Sequence, residues 1–263
     1  MAGRRITSLA SIILAMGIAA AFSENVMAAT QAQNIDTGVA LDLSAHFDGK
    51  QRELAAAAEA GDTNAVTRLI KQEHVDPNVL SKQGMPLLLW PVLKGNRAGV
   101  AALLDNGADP NIRESHGETA MVYAAKNADA EILRQFLRHG GDANAHDLAN
   151  ETLLMVAHTA GRWDNVKVLV ENGADINALD QNISPHSILF FYADEYDKAY
   201  WLLEHGADAT LRVKDAVNPK VVGSQPILDA IFKRHIDETK FPELAQWQKK
   251  CQALLRERGV APR

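Results

Sequence analysis

The side chains of this 263-residue chain that could do chemistry are few and dispersed. There are nine histidines and one cysteine, Cys251. A single thiol excludes both an intramolecular disulfide framework and a Cys-rich zinc site. The sequence holds no Gly-x-Ser-x-Gly elbow, no phosphate loop, no Gly-x-Gly-x-x-Gly turn and no His-Glu-x-x-His pair. The signatures of an activated nucleophile, a nucleotide cradle and a helical zinc site are thus all missing. His139 and His205 stand just before glycines, where a polar, partly cationic ring suits the negative end of a helix dipole. His116, His146 and His186 fall near turns, which makes them candidate contacts and not a metal set. Cys251, between Trp247 and Leu254, reads as a small buried hydrophobe. The expectation is a non-enzymatic chain with no cofactor and no metal.

Composition supports a folded chain and narrows its partners. It is 47% hydrophobic and 23% charged, too apolar for a disordered segment. The formal charge of −6 argues against nucleic acid and anionic lipid, and favours a partner of mixed or basic surface.

The first residues have the pattern of an export signal. Arg4-Arg5 is a basic start, residues 6–22 are apolar or small, and Val26-Met27-Ala28 offers the small residues that a signal peptidase needs. Cleavage is expected after Ala28. No cysteine follows the apolar core, so a lipoprotein anchor is excluded, and a retained transmembrane anchor is disfavoured by the cleavable flank. The expected location is the periplasm of a Gram-negative cell, without a membrane anchor. Met27 offers a start for a minor cytosolic form.

What must position any contact residue is a repeat. Asn106-Gly107-Ala108-Asp109-Pro110-Asn111 recurs as His139-Gly140-Gly141-Asp142-Ala143-Asn144, as Asn172-Gly173-Ala174-Asp175-Ile176-Asn177, and as His205-Gly206-Ala207-Asp208. The glycines are 33 residues apart. Val75-Asp76-Pro77-Asn78 is an earlier copy without the glycine. Upstream of each glycine an apolar stripe repeats at i, i+3 and i+4: Val100, Leu103 and Leu104, then Leu133, Phe136 and Leu137, then Val166, Leu169 and Val170. A second column, Gly84, Gly117, Asn150 and Ile183, precedes another short apolar run. Each unit therefore reads as turn, helix, tight turn, helix, glycine cap. Pro91 falls inside a first helix and predicts that this helix is short or kinked.

These strings resemble the ankyrin repeat, whose consensus has this period, a Thr-Pro-Leu-His-x-Ala start and a Gly-Ala-Asp end. The likeness covers about residues 50–212, with only Thr119 and Thr152 surviving from the start motif. It implies an all-α ankyrin-repeat solenoid of helix-turn-helix units with short β-turn fingers. The expected organisation is a signal peptide at 1–28, an N-terminal extension at 29–48, about five repeats at 49–212, and an irregular capping unit at 213–263. That last unit carries about 20 extra residues, near 212–223 and 234–243.

The resemblance also implies a concave face formed by finger tips and inner helices, which binds one protein partner while the free chain is monomeric. The family's contact positions fall on Lys82, Arg113, His116, His146 and Leu148 in the fingers, and on Leu93, Lys94, Lys126 and Tyr192 in the inner helices. Trp90 and Tyr123 occupy the column just before these. The expected partner-binding set is Trp90, Lys94, Arg113, His116, Tyr123, Lys126, His146 and Tyr192. A cluster in the fifth unit, Phe190, Phe191, Tyr192, Tyr196, Tyr200 and Trp201, reads equally as repacking against the cap or as an anchor for a partner. Small exported ankyrin proteins resemble two bacterial groups. One comprises immunity proteins against type VI effectors, notably lipases and phospholipases. The other supports catalase and peroxide defence. A third possibility is a general periplasmic scaffold. Immunity by occlusion of an effector's active site is the expectation that follows from the resemblance.

Overall fold

The computed structural model describes residues 42–179, 186–211 and 226–260. The signal-like segment, the tip at 181–184 and the insertion near 212–223 lie outside the described residues. The chain divides into two units between Ala45 and His46. Of the first, residues 42–45 open a helical turn, Leu43–His46, at whose start the Asp42 carboxylate accepts the Ser44 N–H at 2.9 Å. The second unit begins at His46 and holds the paired helices.

Helices come in pairs at the expected step: α1 Gly49–Ala60 with α2 Thr63–Lys71, α3 Leu89–Leu93 with α4 Arg97–Asp105, and α5 Ala120–Lys126 with α6 Ala130–Arg138. Then follow α7 Leu153–Thr159 with α8 Trp163–Glu171, α9 Ile188–Phe191 with α10 Tyr196–Glu204, and α11 Pro226–Lys233 with α12 Pro242–Glu257. No strand forms among the described residues. Isolated antiparallel bridges, Leu80 with Pro86, Arg113 with Thr119 and His146 with Thr152, close three fingers among the described residues. Packing runs between neighbours: α5 lies against α3 and α7, and α6 against α4 and α8. The stripe residues Val100, Leu103, Leu133, Phe136, Val166 and Leu169 are all fully buried. No unit could bury its own stripe alone, which is the cause of stacking.

Helix ends follow local chemistry. Asp62, Asn96, Asp129 and Thr152 accept first-turn N–H groups of α2, α4, α6 and α7. At the other end the cap glycines are left-handed, with φ of 96° at Gly107 and 88° at Gly140 and Gly173, where a Cβ would be strained. Before Gly107, Gly140, Gly173 and Gly206 the preceding residue donates a side-chain N–H to the carbonyl four residues back. Asn106 reaches Ala102 at 2.8 Å, His139 reaches Gln135 at 2.8 Å, Asn172 reaches Val168 at 2.7 Å and His205 reaches Trp201 at 2.7 Å. The two histidines thus serve as helix-end donors.

A ladder of asparagines ties unit to unit. Asn78 donates to the Gly107 carbonyl at 3.1 Å and accepts the Asp109 N–H at 2.7 Å. Asn111 treats Gly140 and Asp142 in the same way, Asn144 treats Gly173 and Asp175, and Asn177 treats Gly206 and Asp208. Thr210 stands where the next rung would be, and its groups turn back on Asp208. The ladder ends there. The terminal helix pair attaches differently: Arg258 donates to the Leu203 carbonyl at 2.7 Å, Tyr196 Oη to the Ala230 carbonyl at 2.9 Å, and Cys251 Sγ to the Tyr196 carbonyl at 3.3 Å.

The proline-bearing helix is short, as expected. α3 has five residues against seven in α5 and α7. It starts late enough that Pro91 sits in its first turn, where the missing N–H would lack an intrahelical acceptor anyway. Two tighter turns precede it, from Leu89 N–H to Pro86 and from Trp90 N–H to Leu87, both at 3.0 Å.

Candidate functional site

The finger is built from short-range hydrogen bonds and left-handed tip residues. In the 112–118 finger Glu114 N–H donates to the Glu118 carbonyl at 2.8 Å, and Gly117 N–H returns to Glu114 at 2.9 Å. Ser115 N–H donates to the Gly84 carbonyl of the preceding finger at 2.9 Å. A Cβ at Gly84 would fall 2.0 Å from Ser115 Oγ, so this close approach requires glycine as much as its φ of 83° does. Asn150 holds the equivalent tip position with φ 63°. The 80–86 and 112–118 fingers are therefore held in register by a backbone bond.

Arg113 stands at the start of the 112–118 finger, and its guanidinium donates to the Gly117 carbonyl at 2.7 Å. His116 is open to solvent, with its side chain 78% exposed and 3.8 Å from the Glu114 carboxylate. His146 is exposed on the next finger. Tyr123, on α5, is half-buried and donates its hydroxyl to Glu114 at 3.2 Å. Burial, and then the Glu114 charge, push that phenol up to about 12. Lys126 is exposed one turn further along α5, and its carbonyl is held by Arg162 Nε at 3.1 Å. Buried Asn165 fastens the same helix end through the carbonyls of Ala125 (2.7 Å) and Asn127 (2.8 Å). Lys94 is exposed on the edge of α3 and pairs with Glu59 at 3.3 Å.

Two members of the expected set are corrected. Trp90 is only 1% exposed. Its indole N–H donates to Glu59 at 2.6 Å, and its ring meets those of His46 and Phe47 at 5.0 and 6.0 Å. The cover comes from residues 46–48, which act as an extra finger: the His46 carbonyl accepts Lys82 N–H at 2.9 Å, and Phe47 is buried. Tyr192 is 3% exposed, edge-on to His158 and Trp163 at 4.8 Å each, with the Lys198 ammonium 5.2 Å from its ring. Both are core residues and not contacts. Six of the eight, Lys94, Arg113, His116, Tyr123, Lys126 and His146, reach the surface.

The aromatic cluster divides. Tyr196 is buried against the terminal helices, and Tyr200 lies 5.5 Å from Trp247 of α12, so these two serve the cap. Phe190 and Trp201 stay partly exposed, against His186 and His205 at 3.7 Å each. Cys251 is buried, and burial pushes its thiol up to about 12, far from a reactive thiolate. A polar recess of about 320 Å³ beside Arg234, Glu238, Gln248 and Lys249 is bordered by the Lys249–Glu238 ion pair at 2.7 Å. Among the described residues no three His, Cys, Asp or Glu groups converge as metal ligands, and no helix is long and apolar enough to cross a membrane.

Sequence reasoning passed over the asparagine ladder and Leu80. The ladder was signalled by Asn78, Asn111, Asn144 and Asn177 keeping the period of the glycines. Leu80 shares a column with Arg113 and His146 and is likewise exposed.

Comparison with known proteins agrees with this architecture. Residues 102–180 match the family model described as ankyrin repeats in three copies. No curated protein matches the chain by sequence. Among similar solved structures is the ankyrin repeat domain of Bcl-3, described as a unique member of the IkappaB protein family. It has TM-score 0.58 and 24% identity, over 80% of this chain and 86% of that one. The chain carries ankyrin repeats and is an all-α ankyrin-repeat solenoid. That fold typically serves as an interaction scaffold between proteins.

Proposed function

We propose that this is a periplasmic, non-enzymatic binding protein that captures one protein partner on the face formed by its fingers and inner helices. The observation that supports this reading is the asparagine ladder together with the finger-to-finger bonds. They hold exposed side chains of different units in one register before any partner arrives, and preorganisation reduces the ordering cost of association. The more specific proposal is immunity: the chain occludes the active-site mouth of a type VI lipase or phospholipase effector. It rests on the likeness to exported ankyrin proteins and on the signal-like pattern ending at Ala28. A deletion strain tests it. Challenged by neighbours that deliver such an effector, the strain is expected to die and to be rescued by an export-competent copy but not by one lacking residues 1–28. Unchanged survival, with peroxide resistance lost instead, would replace immunity by the catalase-linked reading.

A further inference from the structure

We infer that the joint between the fourth and fifth units is an acid-sensitive hinge: protonation of His158 parts α9 from α7, while the asparagine rung at the other end of the helix pair keeps the two units attached. The inference does not depend on the binding role proposed above. Two independent observations carry it.

The first is how this joint is tied. At each earlier joint a side chain of the later unit donates to the carbonyls that end the preceding inner helix. Asn96 reaches Glu59 at 2.9 Å, Asn127 reaches Val92 at 3.2 Å, and Arg162 and Asn165 reach Lys126 and Ala125 at 3.1 and 2.7 Å. One repeat after Arg162 and Asn165 stand Glu195 and Lys198, which pair with each other instead. No described side chain of the fifth unit donates to the end of α7. Rings fill the space: Trp163, the first residue of α8, meets Tyr192 at 4.8 Å and Trp201 of α10 at 5.6 Å. One repeat earlier the corresponding positions hold the smaller Ala130, Thr159 and Val168. α10 packs less closely on α8 than α8 does on α6. What still ties the two units is Asn177, which donates to the Gly206 carbonyl at 3.2 Å and accepts the Asp208 N–H at 2.8 Å. α7 and α8 are joined by the turn at 160–162, so His158 lies at the turn end of the pair and Asn177 beyond the opposite end. That rung is the pivot.

The second observation is a buried nitrogen. His158 lies 4.8 Å from Tyr192 and 5.3 Å from Phe191, and its Nδ1 is buried without a hydrogen-bond partner. An imidazolium donates from both nitrogens, so the cation holds an N–H at Nδ1 among aromatic rings with no acceptor. No surrounding element supplies one. α7 has no other charged side chain, α5 has only the exposed Lys126, and α9 has none. On α8, Asp164 pairs with Lys167 at 2.7 Å. After α9, Asp194 pairs with Arg234 and Glu195 with Lys198, and Asp197 of α10 is exposed. Burial holds the His158 pKa below its ordinary 6.5; Glu195 acts against that shift and Lys198 with it. The parted joint therefore binds the proton more tightly than the closed one, and opening grows as pH falls below 6.5. His186 and His205 also touch rings of this region, those of Phe190 and Trp201, so the test separates them from His158.

The test measures spin-label distances in the full mature chain by pulsed electron resonance at about pH 7.5 and about pH 5, on either side of the ordinary histidine range. One label pair, Asp164→Cys with Asp197→Cys, spans the joint near its turn end. The other, Glu131→Cys with Asp164→Cys, spans the joint before it at equivalent positions. Cys251 is buried and stays in place. The first distance is expected to lengthen and broaden at the lower pH and to recover on return, while the second stays constant. His158→Phe should abolish that shift, and His158→Gln gives the same comparison should the bulkier ring disturb folding, which thermal melts at the higher pH report. His186→Gln and His205→Gln should leave the shift in place. A constant distance across the joint, an equal change at the joint before it, a shift that survives His158→Gln, or one that disappears in His186→Gln or His205→Gln would overturn the inference.

Discussion

Asn144 holds two backbone groups of the following unit at once, the Gly173 carbonyl and the Asp175 N–H. Asn144→Ala leaves both to find other partners and should cost about 1–3 kcal/mol in urea unfolding. His146→Ala, two residues away on the open finger, should fall within about 0.5 kcal/mol of wild type. Trp90 shows why some residues could not be read from the sequence. Its column position is that of a surface anchor, but residues 46–48, outside the periodic part, close over it. Trp90→Ala should therefore lower stability by about 3–5 kcal/mol, whatever it does to binding. Titration gives a further check. Tyr123 and Cys251 have folded pKa values raised to about 12 from 10.0 and 9.0, chiefly by burial, and Tyr192 and Tyr196 are raised too. Groups raised in this way contribute stability that is full below their unfolded values and is lost as pH climbs through the folded ones. Melting temperature should hold to pH 9 and drop between there and 12. A flat alkaline profile would mean that these groups are not buried in solution.

The repeat was legible at the level of elements because its punctuation is forced. A left-handed cap admits glycine and little else, and an outer helix shows its buried stripe at i, i+3 and i+4. Pro91 announced a short helix for an equally local reason. Close approaches between helices are less legible, because any glycine can look like a turn. Gly99 is the instructive case: it lies within α4, and a Cβ there would sit 1.9 Å from the Ala58 carbonyl oxygen of α1. Gly99→Ala should force α4 off α1 and cost about 1–3 kcal/mol, read as a lower urea midpoint. The finger at Phe47 escaped notice because its contribution, covering Trp90, depends on a partner more than 40 residues away.

For the whole molecule, stability should be carried from neighbour to neighbour, and the last pair of helices closes the stack. Tyr196, Leu202 and Leu203 are fully buried, with Arg258 bonded to the Leu203 carbonyl and Cys251 packed on Tyr196. Removing residues 213–263 would open that apolar end, so the truncated chain should aggregate or melt early in size-exclusion and thermal measurements. A stable, monodisperse truncation would show that this end is not a cap. The central claim concerns the opposite kind of surface, the exposed one. Its most direct test places a photoreactive amino acid at His116 or Lys126, and in parallel at Arg134 or Lys167 on the outer helices, in cells that export the protein. The account predicts one cross-linked partner from the first two positions and none from the others. Cross-links from the outer helices alone would contradict it.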